Sequence, residues 1–173
     1  MASYYYLISS LPALKDDGKL PIDYDAFLDA CRTSVSESTY QSLEELSVNS
    51  EKGPLVKEWA DFYGRMKEEL NYQRKVALGM QCEAPAERDP KAAERVAAAM
   101  AAENPLEAEK ILLRFELEQI DSLMGIHYFD DWSLFGYAMK LRLLERQNSF
   151  DPEEGRGEFR RLFHNIQQQI LSI

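Results

Sequence analysis

Histidine and cysteine are scarce in this chain of 173 residues, with two of each, and their scarcity excludes several kinds of chemistry at once. Cys31 and Cys82 form no CxxC pair and have no histidine near them in sequence. That pattern fits neither a disulfide framework nor a structural zinc site, and two plain thiols suit a reducing compartment. A di-metal helical bundle needs Glu-x-x-His twice. Here Met124 stands three residues before His127 and Arg161 three before His164. No G-x-S-x-G, phosphate-binding P-loop or dinucleotide G-x-G-x-x-G occurs. Gly155-Arg156-Gly157 lacks the further glycine and the preceding strand, and reads as a turn. Long apolar runs are missing too, since no segment approaches the ~18 residues of a membrane span. The opening Met1–Ile8 has no basic region, is broken by Ser9 and Ser10, and is soon followed by Asp16 and Asp17. It does not read as a signal peptide. The expected location is cytoplasmic, with any membrane contact made through a partner.

Apolar residues make up 45% of the chain and aromatics 11%, enough to bury a real core and to exclude a wholly disordered chain. The formal net charge is −10, and such a surface repels phosphate backbones, so nucleic-acid binding is not expected. Half of that charge sits in residues 1–50, where Lys15, Lys19 and Arg32 face eight acids. An acidic face of this kind serves solubility first and a basic partner second.

Apolar spacing predicts about seven helical segments and no alternating strand. Tyr4–Leu14 is a short helix or a strand, ending at Pro12 and the Lys15–Gly18 turn. Asp23 or Asp25 then caps a helix carrying Phe27, Leu28 and Cys31. Ser36–Leu46 forms another, with Tyr40, Leu43 and Leu46 at helical spacing. After the linker Asn49–Gly53, Pro54 is suited to the first position of a long helix. Leu55, Trp59, Phe62, Met66 and Leu70 form its apolar stripe, and Gly79 stops it after Leu78. Residues 81–90, with Pro85 and Pro90, are a loop between an N-terminal helical region (1–80) and a C-terminal one (91–173), expected to pack as one domain. Asp89-Pro90 opens an alanine-rich helix from Lys91 to Ala102. Asn104 caps the next, with Pro105 as its first residue and Gly125 as its end. Trp132–Arg146 is apolar on two sides and therefore central. Asp151-Pro152-Glu153-Glu154 resembles a helix start, and Phe159, Leu162, Phe163, Ile166 and Ile170 form the face of a last helix. The expected fold class is all-α, an irregular bundle.

Three groups of residues could carry function. His127 with Asp130 and Asp131 is the most site-like cluster, but without converging partners it reads as a loop or capping group. Glu68-Glu69-Leu70-Asn71 and Arg74 read as exposed intrahelical pairs, with contact to a docked helix as the alternative. Tyr4, Tyr5 and Tyr6, together with Trp59, Phe62 and Tyr63, exceed what one helix buries on one face. Core packing explains them first and a protein–protein interface second. No catalytic, cofactor-binding or metal-binding residue is assigned, and no cofactor is expected. Tyr4, Tyr5, Tyr6, Trp59, Tyr63, Asn71 and Arg74 are the candidate interface.

Several stretches resemble one bacterial family encoded within V-type ATPase operons. They are Ser3-Tyr4-Tyr5-Tyr6-Leu7-Ile8-Ser9-Ser10-Leu11-Pro12, Tyr24 with Phe27-Leu28-Asp29-Ala30-Cys31, and Glu69-Leu70-Asn71-Tyr72-Gln73-Arg74 with Leu78-Gly79. Asn104-Pro105-Leu106-Glu107-Ala108-Glu109 and Tyr137–Arg146 continue it, so the resemblance spans nearly the whole chain. It implies a stand-in for the C subunit (d in eukaryotes) of V/A-type ATPases, an all-helical cap that sits on the membrane rotor ring and receives the central shaft. The implied function is a non-catalytic central-stalk component whose partners are other subunits, the shaft and the ring. An adaptor or assembly factor for the same complex is the alternative. An enzyme built on His127, Asp130 and Asp131 is the third class.

Overall fold

In the computed structural model, residues 4–16, 20–148 and residue 161 are described, and they contain seven α-helices and no strand. The helices are α1 (Tyr5–Ser10), α2 (Tyr24–Cys31), α3 (Glu37–Glu44), α4 (Val56–Ala77), α5 (Pro90–Met100), α6 (Pro105–Met124) and α7 (Asp131–Asn148). The opening aromatic segment is thus helical. The predicted helix start at Asp151 and the face Phe159–Ile170 lie outside the described residues.

Local sequence chemistry sets most helix starts. Asp23, Ser36, Asp89 and Asn104 each accept a backbone N–H of the first turn through the side chain, which satisfies a donor the helix itself leaves open. Pro90 and Pro105 occupy the first turn, where the missing N–H costs nothing. Pro54 does not follow this pattern. Gly53 at φ +132 and Leu55 at φ +65 turn the chain sharply, and α4 begins only at Val56. A leucine at positive φ is strained by about 1 kcal/mol or more. Full burial of its side chain beside α7 offsets that strain.

One core runs through the seven helices. Phe62 of α4 meets Phe115 of α6 edge-on at 5.1 Å, while Leu55 lies near Gly136 of α7 and Met124 of α6. Helices α4 and α6 are therefore antiparallel, as are α6 and α7. The Met124 side chain fills the space that a Cβ on Gly136 would occupy, so this glycine permits the close approach. α5 packs on both α4 and α6 through Ala92, Val96 and Ala99, the thin contact expected of alanine. α7 is the most enclosed helix, with Leu134, Phe135, Ala138, Met139, Leu141, Leu143 and Leu144 buried. α2 lies against it, Phe27 stacking on Tyr137 at 5.5 Å.

Polar junctions set the register. Arg142 lies over the Tyr24 ring, 3.3 Å from its centroid, and donates to the Leu46 carbonyl at 3.1 Å. Tyr24 donates its phenol to the Leu43 carbonyl and its N–H to Glu145, each at 2.7 Å. Burial pushes that phenol up to about 12 despite the opposing charge of Arg142. Glu69 is the main departure from the sequence-based expectation. Its carboxylate is 3% exposed and takes a forked pair of hydrogen bonds from Arg88 at 2.8 and 2.6 Å, plus one from Gln73 at 2.6 Å. Gln73 also donates to the Ala93 carbonyl at 2.9 Å, so the α4–α5 loop is tied to α4 and α5 together. An intrahelical pair with Arg74 is not formed. Cys31 is a free thiol, and burial raises it to about 12, which removes it from thiolate chemistry.

Two outcomes follow. Phe115→Ala removes the ring that joins α4 to α6 and costs about 3–5 kcal/mol, read as a fall in unfolding free energy in urea. The Arg88 hydrogen bonds hold the Glu69 carboxyl below its ordinary value against the opposing pull of burial. The stability this contributes is present above the ordinary carboxyl value and is lost as pH falls through the depressed one. Arg88→Ala therefore destabilises fully at neutral pH and progressively less below about pH 4, as denaturation midpoints across that range will report.

Candidate interaction surface

The seven residues proposed as an interface separate into three places. Tyr4 and Trp59 are core residues, so core packing, the first of the two readings, accounts for them and they leave the candidate interface. The Tyr4 phenol donates to Asp131 at 2.8 Å and its N–H to the Phe129 carbonyl at 2.7 Å. Trp59 is fully buried, and its indole N–H donates to the Val48 carbonyl at 2.9 Å. Trp59 lies on the face that α4 turns toward the core, where a large ring gains most from burial, and Tyr4, just before α1, is drawn in by its bonds to Phe129 and Asp131. Tyr63 is half-buried, stacked on Trp59 at 5.4 Å, and accepts from Arg146 at 3.3 Å. Asn71 and Arg74 are exposed, three residues apart on one side of α4, and Arg74 forms no ion pair among the described residues.

Tyr5 and Tyr6 alone form part of an exposed apolar surface. They lie 54% and 88% exposed on the outer side of α1. The α6–α7 turn brings three more apolar side chains to the surface, Ile126 (85%), Tyr128 (67%) and Phe129 (37%). Tyr5 contacts Phe129 at 4.8 Å between ring centroids and Tyr6 at 5.5 Å, and Tyr128 flanks Phe129 at 6.5 Å. The result is a ledge of four aromatic rings. Its charged neighbours are already occupied. Asp131 accepts from Tyr4, and His127 Nδ1 lies 2.5 Å from Asp130 Oδ2. The ledge thus offers uncharged contact area with phenol groups at its edge, a composition favoured in protein interfaces.

His127, Asp130 and Asp131 do not converge on one point. Asp130 accepts the Ser133 N–H at 3.2 Å while Ser133 Oγ accepts the Asp130 N–H at 3.0 Å, a reciprocal cap on α7. His127 stacks on Trp132 with ring centroids 5.0 Å apart. Burial acts to raise the Asp130 carboxyl, but the bonds from His127 and the first α7 amides outweigh it and hold it low. Among the described residues no group of three or more His, Cys, Asp and Glu is placed to hold a metal ion. No described helix is long and apolar enough to cross a membrane.

A second apolar surface lies at the other end of α4. Val76 and Met100 are exposed on a groove of about 620 Å³ between α4 and α5, lined also by Ala77, Ala93, Ala97 and Ala101, and Leu78 and Met80 are exposed just beyond the end of α4. Leu55 stands beside Met124 near the ledge, and Val76–Leu78 follow 21–23 residues later along α4. At 1.5 Å per residue the two surfaces are about 30–35 Å apart.

Residues 126–129 are the part of the ledge that sequence reasoning missed. Apolar side chains at three of four positions in a turn, after the helix-ending Gly125, belong to no buried helix face, and that was the available signal. Because the ledge is exposed while the capping group is structural, the double substitution Tyr6→Ser, Tyr128→Ser leaves unfolding free energy within about 0.5 kcal/mol. Asp130→Ala removes the cap and costs about 1–2 kcal/mol in the same measurement. The chain matches no protein-family model, no curated protein and no solved structure.

Proposed function

We propose that this protein is a non-catalytic component of a bacterial V/A-type ATPase, a central-stalk cap that links the rotor shaft to the membrane ring. The observation that carries the reading is the pair of exposed apolar surfaces at opposite ends of α4, the ledge at Tyr5, Tyr6, Tyr128 and Phe129 and the groove at Val76, Ala77 and Met100. A coupling part has to hold two partners at once and pass force between them. Each contact needs apolar area that is uncovered in the free chain. The material between the contacts needs stiffness, which close-packed helices supply.

The family resemblance of the opening, of Glu69–Arg74 and of Tyr137–Arg146 supplies the identity of the partners. In this reading ATP hydrolysis takes place on other subunits, and the chain is cytoplasmic and reaches the inner membrane only through the complex. The net charge of −10 suits partners with basic flanks around apolar centres.

Purification of the ATPase from membranes tests the proposal. The chain should be retained in fixed stoichiometry, and Tyr6→Ser with Ile126→Ser and Tyr128→Ser should lower retention about tenfold or more, the loss of roughly 1.4 kcal/mol or above. Transient, substoichiometric retention assigns the chain to assembly of the complex. An intact complex that lacks the chain and still couples hydrolysis to ion movement normally removes the proposal.

A further inference from the structure

We propose that two copies of this chain pair reversibly about a two-fold axis through the aromatic ledge whenever no other subunit occupies it. The pairing is a property of the free chain and does not depend on the ATPase reading.

Charge leaves few faces on which two copies can approach. Each carries −10, so most orientations set like charge against like charge. The ledge is an exception. Residues 4–14 and 125–129, which build it, contain no Asp, Glu, Lys or Arg, and His127 among them is bonded to Asp130. Asp130 and Asp131 follow, half-buried, the second bonded to the Tyr4 phenol. The groove at the far end of α4 differs, because exposed Arg74 and Lys75 stand on the last turn of that helix. Two such grooves face to face would set cation against cation.

A two-fold interface must also fit its own copy. An ionised carboxylate or an ammonium cannot pair with its like, whereas a phenol both donates and accepts. Tyr5, Tyr6 and Tyr128 expose three phenols on the ledge. Its rings are inclined to one another, Tyr5 at 86° to Tyr6 and 58° to Phe129, and Tyr128 at 48° to Phe129. Ring faces and ring edges are thus both presented, and the edges of one copy can meet the faces of the other, a favoured aromatic arrangement. Ser9 and Ser10, exposed one turn further along α1, add an uncharged polar rim. At about 200 Å² for a whole aromatic side chain, the exposed parts of the four rings and Ile126 amount to about 600 Å². Two copies together bury about 1,200 Å², the lower edge of what a specific interface needs.

Sedimentation equilibrium of the full chain from about 1 to about 500 µM tests the pairing, since an interface of this size gives a midpoint of about 1–100 µM. The average mass should rise from one chain toward two and stop there, because a two-fold interface closes on itself. Raising salt from about 0.05 to about 0.5 M should tighten the pair about threefold or more, as screening relieves the mutual repulsion. Tyr6→Ser with Tyr128→Ser should weaken it about tenfold or more, while Val76→Ser with Met100→Ser leaves it unchanged. A single-chain mass throughout, a pair that the ledge substitutions leave intact, or one that weakens as salt rises overturns the proposal. Should the ledge variant fold poorly, NMR of the unaltered chain decides. Ring signals of Tyr5, Tyr6, Tyr128 and Phe129 that move with protein concentration support the pairing, and shifts confined to other residues overturn it. A chain that stays single yet needs the ledge for retention in the ATPase removes the pairing alone. A chain that pairs yet is absent from a normally coupled ATPase removes the ATPase reading alone.

Discussion

α7 places apolar side chains on nearly every flank: Leu134, Phe135, Ala138, Met139, Leu141, Leu143 and Leu144 are all buried. No single neighbour can cover such a helix, so α2, α4 and α6 gather around it. The same helix carries Arg142, Glu145 and Arg146, which lie too close to that enclosed surface to remain fully solvated. Each draws a partner from outside α7. Arg142 takes the Tyr24 ring and the Leu46 carbonyl, Glu145 the Tyr24 N–H, and Arg146 the Glu116 carboxylate and the Tyr63 phenol. Burial brings the helices together, and the obligation to satisfy these polar groups selects which parts of them meet.

The stretches that carry the family resemblance occupy such junctions. Tyr4 ties α1 to α7, Tyr24 ties α2 to α3 and α7, and Glu69 ties α4 to the loop before α5. Tyr137 reaches the Pro12 carbonyl at 2.9 Å. Residues like these hold the bundle together. Exposed apolar side chains lie on Tyr5 and Tyr6, within the first of those stretches, and outside them at residues 126, 128 and 129 and near the end of α4.

The helices themselves were legible in the sequence. The stripe Leu55, Trp59, Phe62 and Met66, the caps Asp89 and Asn104, the prolines behind them and the glycines at 79 and 125 are local signals, and local chemistry governs helix ends. The two-sided apolar pattern of Trp132–Arg146 likewise pointed to a central helix. Pro54 was misread because the demand that buries Leu55 comes from α7, some 80 residues away in sequence, and no local rule registers it.

Partners of charged residues were hidden for the same reason. The charged run around Glu69 reads as an exposed helix face, yet the carboxylate faces inward and finds Arg88 across a loop. Glu116 and Arg146 lie 30 residues apart, and nothing in either segment announces the other. The aromatic ledge combines a helix near the start of the chain with a turn beyond residue 125, so its existence depends on how α1 docks. The sequence by itself determined the helical class, most helix ends and the acidic character, all of which arise from interactions within a few residues or from composition. Tertiary structure alone decided which charges are buried, which pairs they form and where apolar surface stays open, because burial is a property of the neighbours that a side chain meets.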